Sequence, residues 1–474
     1  MGEGRFKLFV ENFLIYGLGG MLNKIIPFVM LPLVTRLMPN SFYFGLSDIS
    51  SVIISFGQAL AIMGMYDAMF RMFFEKEDNE YKKNVCSTAF SFTLIMSIVI
   101  FTLMILFRNS LAEAFFGDSK YAYLLCLTAS SVLVGSTNTI VSAPTRMENR
   151  RKIFLITNLL SPIISYSISI PLLLKGYYTV ALPLASLLSA FLTEIIFGVL
   201  YYKWFTFKID KQLLKDMLKI ALPLFPNFLV YWIFNSCDRL MISNLIGAEW
   251  NGVYAVGAKI GQASQLIYSA FAGGWQFFAF STMKDDDQVE MTSNVFEYLG
   301  IITFSSGMMV AAISRPLFTL LFSEEYLAGH IVMPYLFVAP LLLMLYQVVV
   351  NQFLVVKKTW PSIGILAMGA LINIIINYFG IRKIGIEGAA LGTLLGYAVA
   401  IVGVTIVLTY MKLVRISKRF GICILMFVLY SICWRFFTLN MPVISLLLGG
   451  VVIGVYIFLY RNDLCKLISQ EQTK

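Results

Sequence analysis

The chain carries little charge for its length. Only 13% of its 474 residues are Asp, Glu, Lys or Arg, whereas 59% are hydrophobic, and its mean hydropathy is +0.80. It has one histidine, His330, and its six cysteines show no CxxC spacing, so neither a metal site nor a disulfide framework is predicted. This composition excludes a soluble globular protein and indicates a polytopic membrane protein.

Long segments outside the apolar runs are also missing. No GxxxxGK[ST] phosphate loop occurs, so an ATP-driven pump or an enzyme with a soluble catalytic domain is not expected, and no cofactor is predicted. The net charge of +10 is attributed to basic loops beside anionic lipid head groups. A nucleic-acid partner is not expected, because no soluble domain is present to bind one.

Fourteen apolar runs are long enough to span a bilayer, which takes roughly 20 residues per helix. Of the 36 lysines and arginines, 25 fall on the proposed inner side and 8 on the outer side. Because basic residues favour cytoplasmic loops, both termini are predicted to be cytoplasmic. The predicted spans are 9–36, 45–70, 85–107, 121–141, 153–174, 179–202, 217–243, 252–280, 293–313, 331–355, 361–381, 386–410, 420–437 and 441–460.

An internal repeat organises these spans. Four residues of the first span recur in order 215 positions later in the seventh: Asn12, Tyr16, Asn23 and Lys24 correspond to Asn227, Tyr231, Asp238 and Arg239. An offset of six spans predicts two parallel, pseudo-symmetric six-helix lobes. We predict an all-α polytopic membrane protein with about 14 transmembrane helices, divided into an N-lobe (1–202), a cytoplasmic amphipathic linker (203–216), a C-lobe (217–410) and two C-terminal helices with a cytoplasmic tail (411–474).

Three cations, Lys24, Arg239 and Lys259, lie within predicted spans. A charge at bilayer depth is costly and usually faces a water-filled cavity or a partner. Because Lys24 and Arg239 are related by the repeat, we predict that both face a central cavity and bind an anionic substrate. The alternative is that Asp238 neutralises Arg239 or Lys259 in an ion pair, and for Lys259 substrate contact and ion pairing stay open.

Carboxylates within the spans provide further candidates. Glu194 in the sixth span and Asp238 are candidates for binding a coupling proton or sodium ion, since a desolvated carboxylate can titrate near neutral pH. Asp67 and Arg71 lie one helical turn apart at the inner end of the second span, a spacing that predicts an ion pair with a structural role or a role in an inner gate.

Several short segments, in this order, resemble a known family. The chain resembles the bacterial polysaccharide-repeat-unit flippases of the multidrug, oligosaccharidyl-lipid and polysaccharide exporter superfamily. The segments are Lys219-Ile220-Ala221-Leu222-Pro223-Leu224, Asp238-Arg239, Gly252-Val253-Tyr254, Lys259 and Gly385-Ile386-Glu387-Gly388-Ala389-Ala390.

The resemblance implies a transporter, not an enzyme, in the bacterial cytoplasmic (inner) membrane. Its substrate would be an undecaprenyl-pyrophosphate-linked oligosaccharide, flipped by alternating access for O-antigen or capsule synthesis. Asn23, Asn227 and Tyr231 would contact sugars, beside Lys24, Arg239 and Lys259 on the anionic head group. Coupling to a proton or sodium gradient is left open, and membrane lipids and the polysaccharide polymerase machinery are candidate partners.

Two alternatives within the same superfamily stay open. A flippase for the peptidoglycan precursor would share the fold, the lipid tail and the pyrophosphate. A multidrug antiporter of the same superfamily would share the fold, but acidic residues would line its cavity. A membrane-embedded polymerase or ligase would require a long outer loop rich in arginine and histidine, and no such loop occurs here.

Overall fold

The chain is helical throughout the part that is described. The computed structural model describes residues 24–281, 286–356 and 360–463, without the side chains of Asn227 and of several residues between 270 and 281. Those residues contain no β-strand, and 12 of their helices are long and apolar enough to cross a membrane. Helices suit this environment because each backbone N–H and C=O group is satisfied within its own segment. The prediction of an all-α polytopic membrane protein is confirmed.

Contacts between residues divide the chain into an N-unit, Met1–Ala255, and a C-unit, Val256–Lys474. The first helix of the N-unit, α1, covers residues 24–37. The helices that follow are α2 (Ser41–Ile62), α3 (Met65–Phe73), α4 (Asn79–Leu106), α5 (Arg108–Phe116), α6 (Ala122–Ser142), α7 (Pro144–Met147), α8 (Arg151–Leu174), α9 (Ala181–Tyr201), α10 (Lys211–Trp232) and α11 (Asp238–Ile246). A π-helical turn, Ile233–Cys237, joins α10 to α11.

The boundary between the units falls within α12 (Ala248–Gly261). The remaining helices are α13 (Gln265–Ser281), α14 (Gln288–Leu321), α15 (Gly329–Val355), α16 (Trp360–Ile384), α17 (Ile386–Tyr410), α18 (Lys418–Cys433) and α19 (Pro442–Leu459). A second π-helical turn, Trp434–Thr438, follows α18.

Twelve of the fourteen predicted spans correspond to the long apolar helices. The first predicted span begins outside the described residues and continues as α1. The eighth predicted span is divided into α12 and α13 by a short 3-10 turn, Gln262–Ser264. About 14 transmembrane helices is therefore consistent with the structure.

The predicted amphipathic linker, 203–216, does not form one continuous helix. Residues 205–210 are not helical, and α10 begins at Lys211, where the Asp210 carboxylate accepts hydrogen bonds from the backbone N–H groups of Gln212 and Leu213. Upstream, the Ser87 hydroxyl on α4 donates to the carbonyl of Trp204 and accepts from the backbone N–H of Thr206. These bonds hold the segment against α4 and replace the intrahelical bonds that a continuous helix would make.

In the N-unit, α2 and the first turns of α12 approach each other closely at two glycines. A Cβ atom added at Gly45 would lie 1.8 Å from the carbonyl oxygen of Ala248, and one added at Gly252 would lie 2.0 Å from that of Ser41. The close approach allows the Asn251 amide to donate to the carbonyl of Gly45 over 3.2 Å. Only glycine fits this contact, because the added atom would meet backbone.

Gly45→Ala is therefore expected to lower the free energy of unfolding by about 1–3 kcal/mol, the typical cost of overpacking. Thermal unfolding of the purified protein in detergent measures the effect. Gly198→Ala on α9 is the matched control, because a Cβ there meets no atom within 4 Å and alanine favours helix over glycine. Equal stability of the two variants would contradict the prediction.

One end of the C-unit is tied together by the buried Glu297 of α14. Its carboxylate accepts hydrogen bonds from the Ser417 backbone N–H over 2.7 Å, from the Ser417 hydroxyl over 2.8 Å and from the Tyr460 hydroxyl over 2.6 Å. Arg419 lies 3.8 Å from the same carboxylate. The start of α18 and the end of α19 are thus attached to α14.

Candidate functional site

A cavity of about 520 Å³ lies within the N-unit, between α6, α7, α8 and α9. Its volume falls in the range of small-molecule sites, about 300–1,000 Å³. Hydroxyl, amide and cationic side chains are among its lining groups, and no Asp or Glu is among the described residues that line it. The lining residues are Lys24, Tyr66, Gly135, Asn138, Thr139, Ser142, Ala143, Thr145, Arg146, Phe154, Thr157, Asn158, Ser161, Thr193 and Phe197.

Two cations contribute to this cavity. The Arg146 guanidinium, on the short helix α7, donates a hydrogen bond to the Tyr66 hydroxyl over 3.3 Å and lies 5.3 Å from the centre of the Phe154 ring. Lys24, at the first described position of α1, is exposed and lines the same cavity. Lys24, which the sequence predicts to face a cavity, therefore lines the same cavity as Arg146.

Short polar side chains form another part of the cavity wall. The Asn138 amide on α6 donates to the Ala190 carbonyl over 3.1 Å and to the Thr193 hydroxyl over 3.0 Å, which connects α6 to α9. Asn138 lies eight residues before Arg146, about 12 Å along a helix. The polar surface thus extends well into the predicted span, where hydroxyl and amide groups provide both donors and acceptors.

A half-buried carboxylate lies just beyond α7 and outside the membrane-spanning segments. Glu148 accepts hydrogen bonds from the Trp204 indole over 2.6 Å, from Arg150 over 3.1 Å, and pairs with Lys203 at 3.0 Å. Burial acts to raise the pKa of Glu148, but the hydrogen bonds from Trp204, Lys203 and Arg150 outweigh it and hold the pKa below the usual value. Glu148 is therefore an anion that anchors the 202–204 turn beside the cavity.

Arg239 lies in a separate buried cluster of the N-unit, which we call the Asp48 cluster: Asp48, Asp238, Arg239, Asn251 and Tyr254. The Arg239 guanidinium donates to the Asp48 carboxylate on α2 over 3.1 Å, and these side chains are 12% and 1% exposed. Asp238 accepts hydrogen bonds from the Tyr254 hydroxyl and from the backbone N–H of Arg239. The ion pair of Arg239 is thus with Asp48, whereas the sequence suggested Asp238. Its role as a substrate ligand stays a prediction, and so does ion coupling by Asp238.

Of the other predicted site residues, Lys259, Tyr231 and Glu194 have described side chains. Lys259 has an exposed side chain on the part of α12 that belongs to the C-unit. Tyr231 and Glu194 are half-buried in the N-unit and do not line the cavity. Asn23 lies outside the described residues, as does the side chain of Asn227. The roles assigned to these five residues stay predictions.

Asp67 and Arg71 form no ion pair with each other, although both lie in the described part of the chain, and this corrects the predicted pairing. Both side chains are exposed on α3. An exposed i, i+4 pair contributes only about 0.3–0.5 kcal/mol, too little to immobilise two hydrated side chains. Asp67 lies instead in the first turn of α3, where the helix dipole favours a negative charge. A role for Asp67 and Arg71 in gating stays a prediction.

Sequence reasoning missed Arg146 and Asp48. Arg146 belongs to the basic residues of the proposed inner side, although it closely follows the polar run Ser136-Thr137-Asn138-Thr139 and Ser142. That run was the available signal for a polar cavity. Asp48 is a charged residue near the start of the second predicted span, and a charge within a span is a signal for a buried partner of opposite charge.

Comparisons with known proteins agree with the helical architecture. A solved structure described as "Lipid II flippase MurJ, inward closed conformation" has a TM-score of 0.73 at 16% identity, covering 95% of this chain and 100% of that one. An "Inward-facing conformation of a multidrug resistance MATE family transporter of the MOP superfamily" has a TM-score of 0.60 at 16% identity, covering 83% and 98%. At these identities the likeness concerns the fold.

No curated protein matches the chain in sequence. Residues 33–330, more than half of the chain, match the family described as "Polysaccharide biosynthesis protein". The family resemblance seen in the sequence is therefore confirmed. The chain belongs to the polysaccharide biosynthesis protein family and has the fold of the MurJ and MATE transporters.

Proposed function

We propose that the protein is a flippase that moves undecaprenyl-pyrophosphate-linked oligosaccharide repeat units across the bacterial inner membrane. Movement is from the cytoplasmic to the outer leaflet, by alternating access, and supplies O-antigen or capsule synthesis. The protein carries out no covalent chemistry on its substrate. The polysaccharide polymerase machinery, which would receive the flipped units, is the proposed partner.

The cavity of the N-unit carries this proposal. It presents the cations Lys24 and Arg146 together with amides and hydroxyls, and no carboxylate is among its described lining residues. A pyrophosphate-linked sugar has an anionic group and many hydroxyls, so the cavity can replace its hydration by hydrogen bonds and ion pairs. Such replacement is needed because the polar head crosses roughly 30 Å of hydrocarbon.

Other residues are part of the proposal because the sequence predicts roles for them. Arg239 and Lys259 would bind the anionic head at other stages of transport, and Asn23, Asn227 and Tyr231 would contact sugars. Asp238 and Glu194 are the proposed sites for a coupling proton or sodium ion. Lys24 is supported by geometry as well, because it shares a cavity with Arg146.

A flippase for the peptidoglycan precursor is the second candidate. The similarity of fold to the solved lipid II flippase, over 95% of this chain, favours it, and a cation-lined cavity suits the pyrophosphate of either substrate. A multidrug antiporter fits less well, because a cationic drug needs carboxylates where the cavity presents Lys24 and Arg146.

Liposomes that contain the purified protein test the proposal. We expect a labelled polyprenyl-pyrophosphate oligosaccharide to move between leaflets far faster than in liposomes with heat-unfolded protein, and a cationic drug not to exchange for protons or sodium. Drug exchange without lipid movement would replace the proposal by the antiporter function. Faster movement of the peptidoglycan precursor than of the oligosaccharide lipid would favour the second candidate.

A further inference from the structure

Arg146, one of the two cations of the cavity, lies on a helix too short to be stable by itself. The helix α7 comprises only Pro144–Met147, and a single turn fixes several backbone torsion angles for very few hydrogen bonds. Its end is closed by the backbone N–H of Glu148, which donates to the Pro144 carbonyl over 2.8 Å. The position of the Arg146 side chain therefore depends on contacts that this turn makes with the rest of the N-unit.

The backbone after α7 forms a tight turn. The backbone N–H of Asn149 donates to the Arg146 carbonyl over 3.1 Å, and that of Arg150 donates to the Thr145 carbonyl over 2.8 Å. Asn149 has a φ of 54°, in the left-handed region, which a residue other than glycine keeps only where surrounding contacts hold it there. Residues 144–150 thus form one compact unit, which we call the α7 turn and which carries Arg146 and Glu148 together.

The Glu148 carboxylate attaches the α7 turn to residues 202–204. The Trp204 indole N–H donates to one carboxylate oxygen over 2.6 Å, and the Lys203 ammonium lies 3.0 Å from the same oxygen. The other oxygen accepts a hydrogen bond from the Arg150 guanidinium over 3.1 Å. Hydrogen bonds to an ionised group are about twice as strong as those between neutral groups, and the Glu148 side chain is only 14% exposed. This attachment is therefore a strong one.

Trp204 is itself firmly held. Its side chain is 8% exposed, its ring packs edge-on against Phe73 of α3 with 5.3 Å between the ring centres, and its carbonyl accepts a hydrogen bond from the Ser87 hydroxyl over 3.2 Å. The same helix, α3, carries Tyr66, whose hydroxyl accepts from the Arg146 guanidinium. The α7 turn is thus connected to α3 at two points, through Trp204 and through Tyr66.

We propose that Glu148 is a positioning residue for transport, which holds the α7 turn so that the Arg146 guanidinium lies where the anionic head of the substrate binds. Glu148 is not among the residues that line the cavity, so it acts through Arg146 and touches no substrate. Displacement of a binding group by about 1 Å can slow a reaction roughly a hundredfold. The inference rests on the proposed function, because it assigns a role in binding the anionic head.

Glu148→Gln tests this role, because it keeps the shape of the side chain and removes its charge. We expect it to slow transbilayer movement of a labelled polyprenyl-pyrophosphate oligosaccharide several-fold, by raising the lipid concentration needed for a half-maximal rate. In a protein that already carries Arg146→Gln, the same change should alter the rate by less than about twofold, because residues that act together have non-additive effects. Equal effects of Glu148→Gln with and without Arg146 would indicate general destabilisation and overturn the inference.

Two further variants control for folding and for charge. Lys203→Gln removes one of the three donors to Glu148 at a side chain that is 54% exposed, so it should leave the fold intact and slow transport less than Glu148→Gln does. Glu113→Gln makes the same chemical change as Glu148→Gln at an exposed residue of α5 and should leave the rate unchanged. Equal rates for Glu113→Gln and Glu148→Gln would contradict the positioning role.

Hydrogen–deuterium exchange of the purified protein tests the contact independently of transport. Glu148→Gln should accelerate exchange of the Asn149 and Arg150 amides, because the α7 turn opens more often once its attachment is weakened, and Glu113→Gln should not. Unchanged exchange in Glu148→Gln would overturn the inference. If exchange accelerates but the wild-type protein moves no lipid-linked sugar, the contact is retained and the flippase proposal is wrong. If the wild type moves the lipid and Glu148→Gln moves it equally fast, only the inference is wrong.

Discussion

Lys24→Gln and Arg146→Gln are each expected to slow transbilayer movement of a lipid-linked oligosaccharide about tenfold, and the double variant about a hundredfold. A hydrogen bond to a charged group contributes about 1.5–3 kcal/mol, and about 1.4 kcal/mol corresponds to a factor of ten. Because the two cations line one cavity, each loss removes a contact with the anionic head. Initial rates in liposomes with equal amounts of folded protein measure the effect.

Lys152→Gln is the matched control for this experiment. Lys152 is exposed on α8, carries the same charge and does not line the cavity, so its replacement should leave the rate unchanged. Equal rates for Arg146→Gln and Lys152→Gln would contradict a role for the cavity in transport. A thermal unfolding scan of each variant separates a loss of binding from a loss of folded protein.

Most of the fold follows from the order of apolar and basic segments, because a spanning helix needs only length and hydrophobicity. This pattern cannot give the exact residue at which a helix begins, because hydrogen bonds around that residue determine it. The linker is the example: Asp210 caps α10 and Ser87 binds the preceding turn. The Ser87 contact joins residues 117 positions apart, and no periodicity in 203–216 reveals it.

The candidate site could be predicted only in part, for a similar reason. A cation within a span is visible in the sequence because it interrupts an apolar run, and this pattern identifies Lys24 and Arg239. Whether such a cation faces a cavity or a carboxylate depends on the neighbouring helix, and Asp48 is 191 positions from Arg239. The sequence does not identify Arg146 as a cavity residue, because it lies at the end of a span, where basic residues are common.

The Asp48 cluster provides the prediction with the largest effect on stability. Asp48→Asn is expected to lower the free energy of unfolding by about 3–5 kcal/mol, because it leaves the Arg239 guanidinium without its buried ion-pair partner. Thermal unfolding in detergent measures the loss. Asp67→Asn makes the same chemical change at an exposed residue of the N-unit, where the expected effect is within about 0.5 kcal/mol. Equal stabilities of these two variants would contradict a structural role for the pair.

The double variant Asp48→Asn with Arg239→Gln then separates stability from transport. Removing both charges should recover much of the lost stability, since replacing both members of a buried ion pair by neutral groups avoids an unpaired charge. A stable double variant that no longer moves lipid-linked sugar would confirm the prediction that Arg239 binds substrate. A stable double variant with the wild-type rate would instead restrict Arg239 to holding α11 against α2, and would leave Lys24 and Arg146 as the cations of the N-unit that bind the head group.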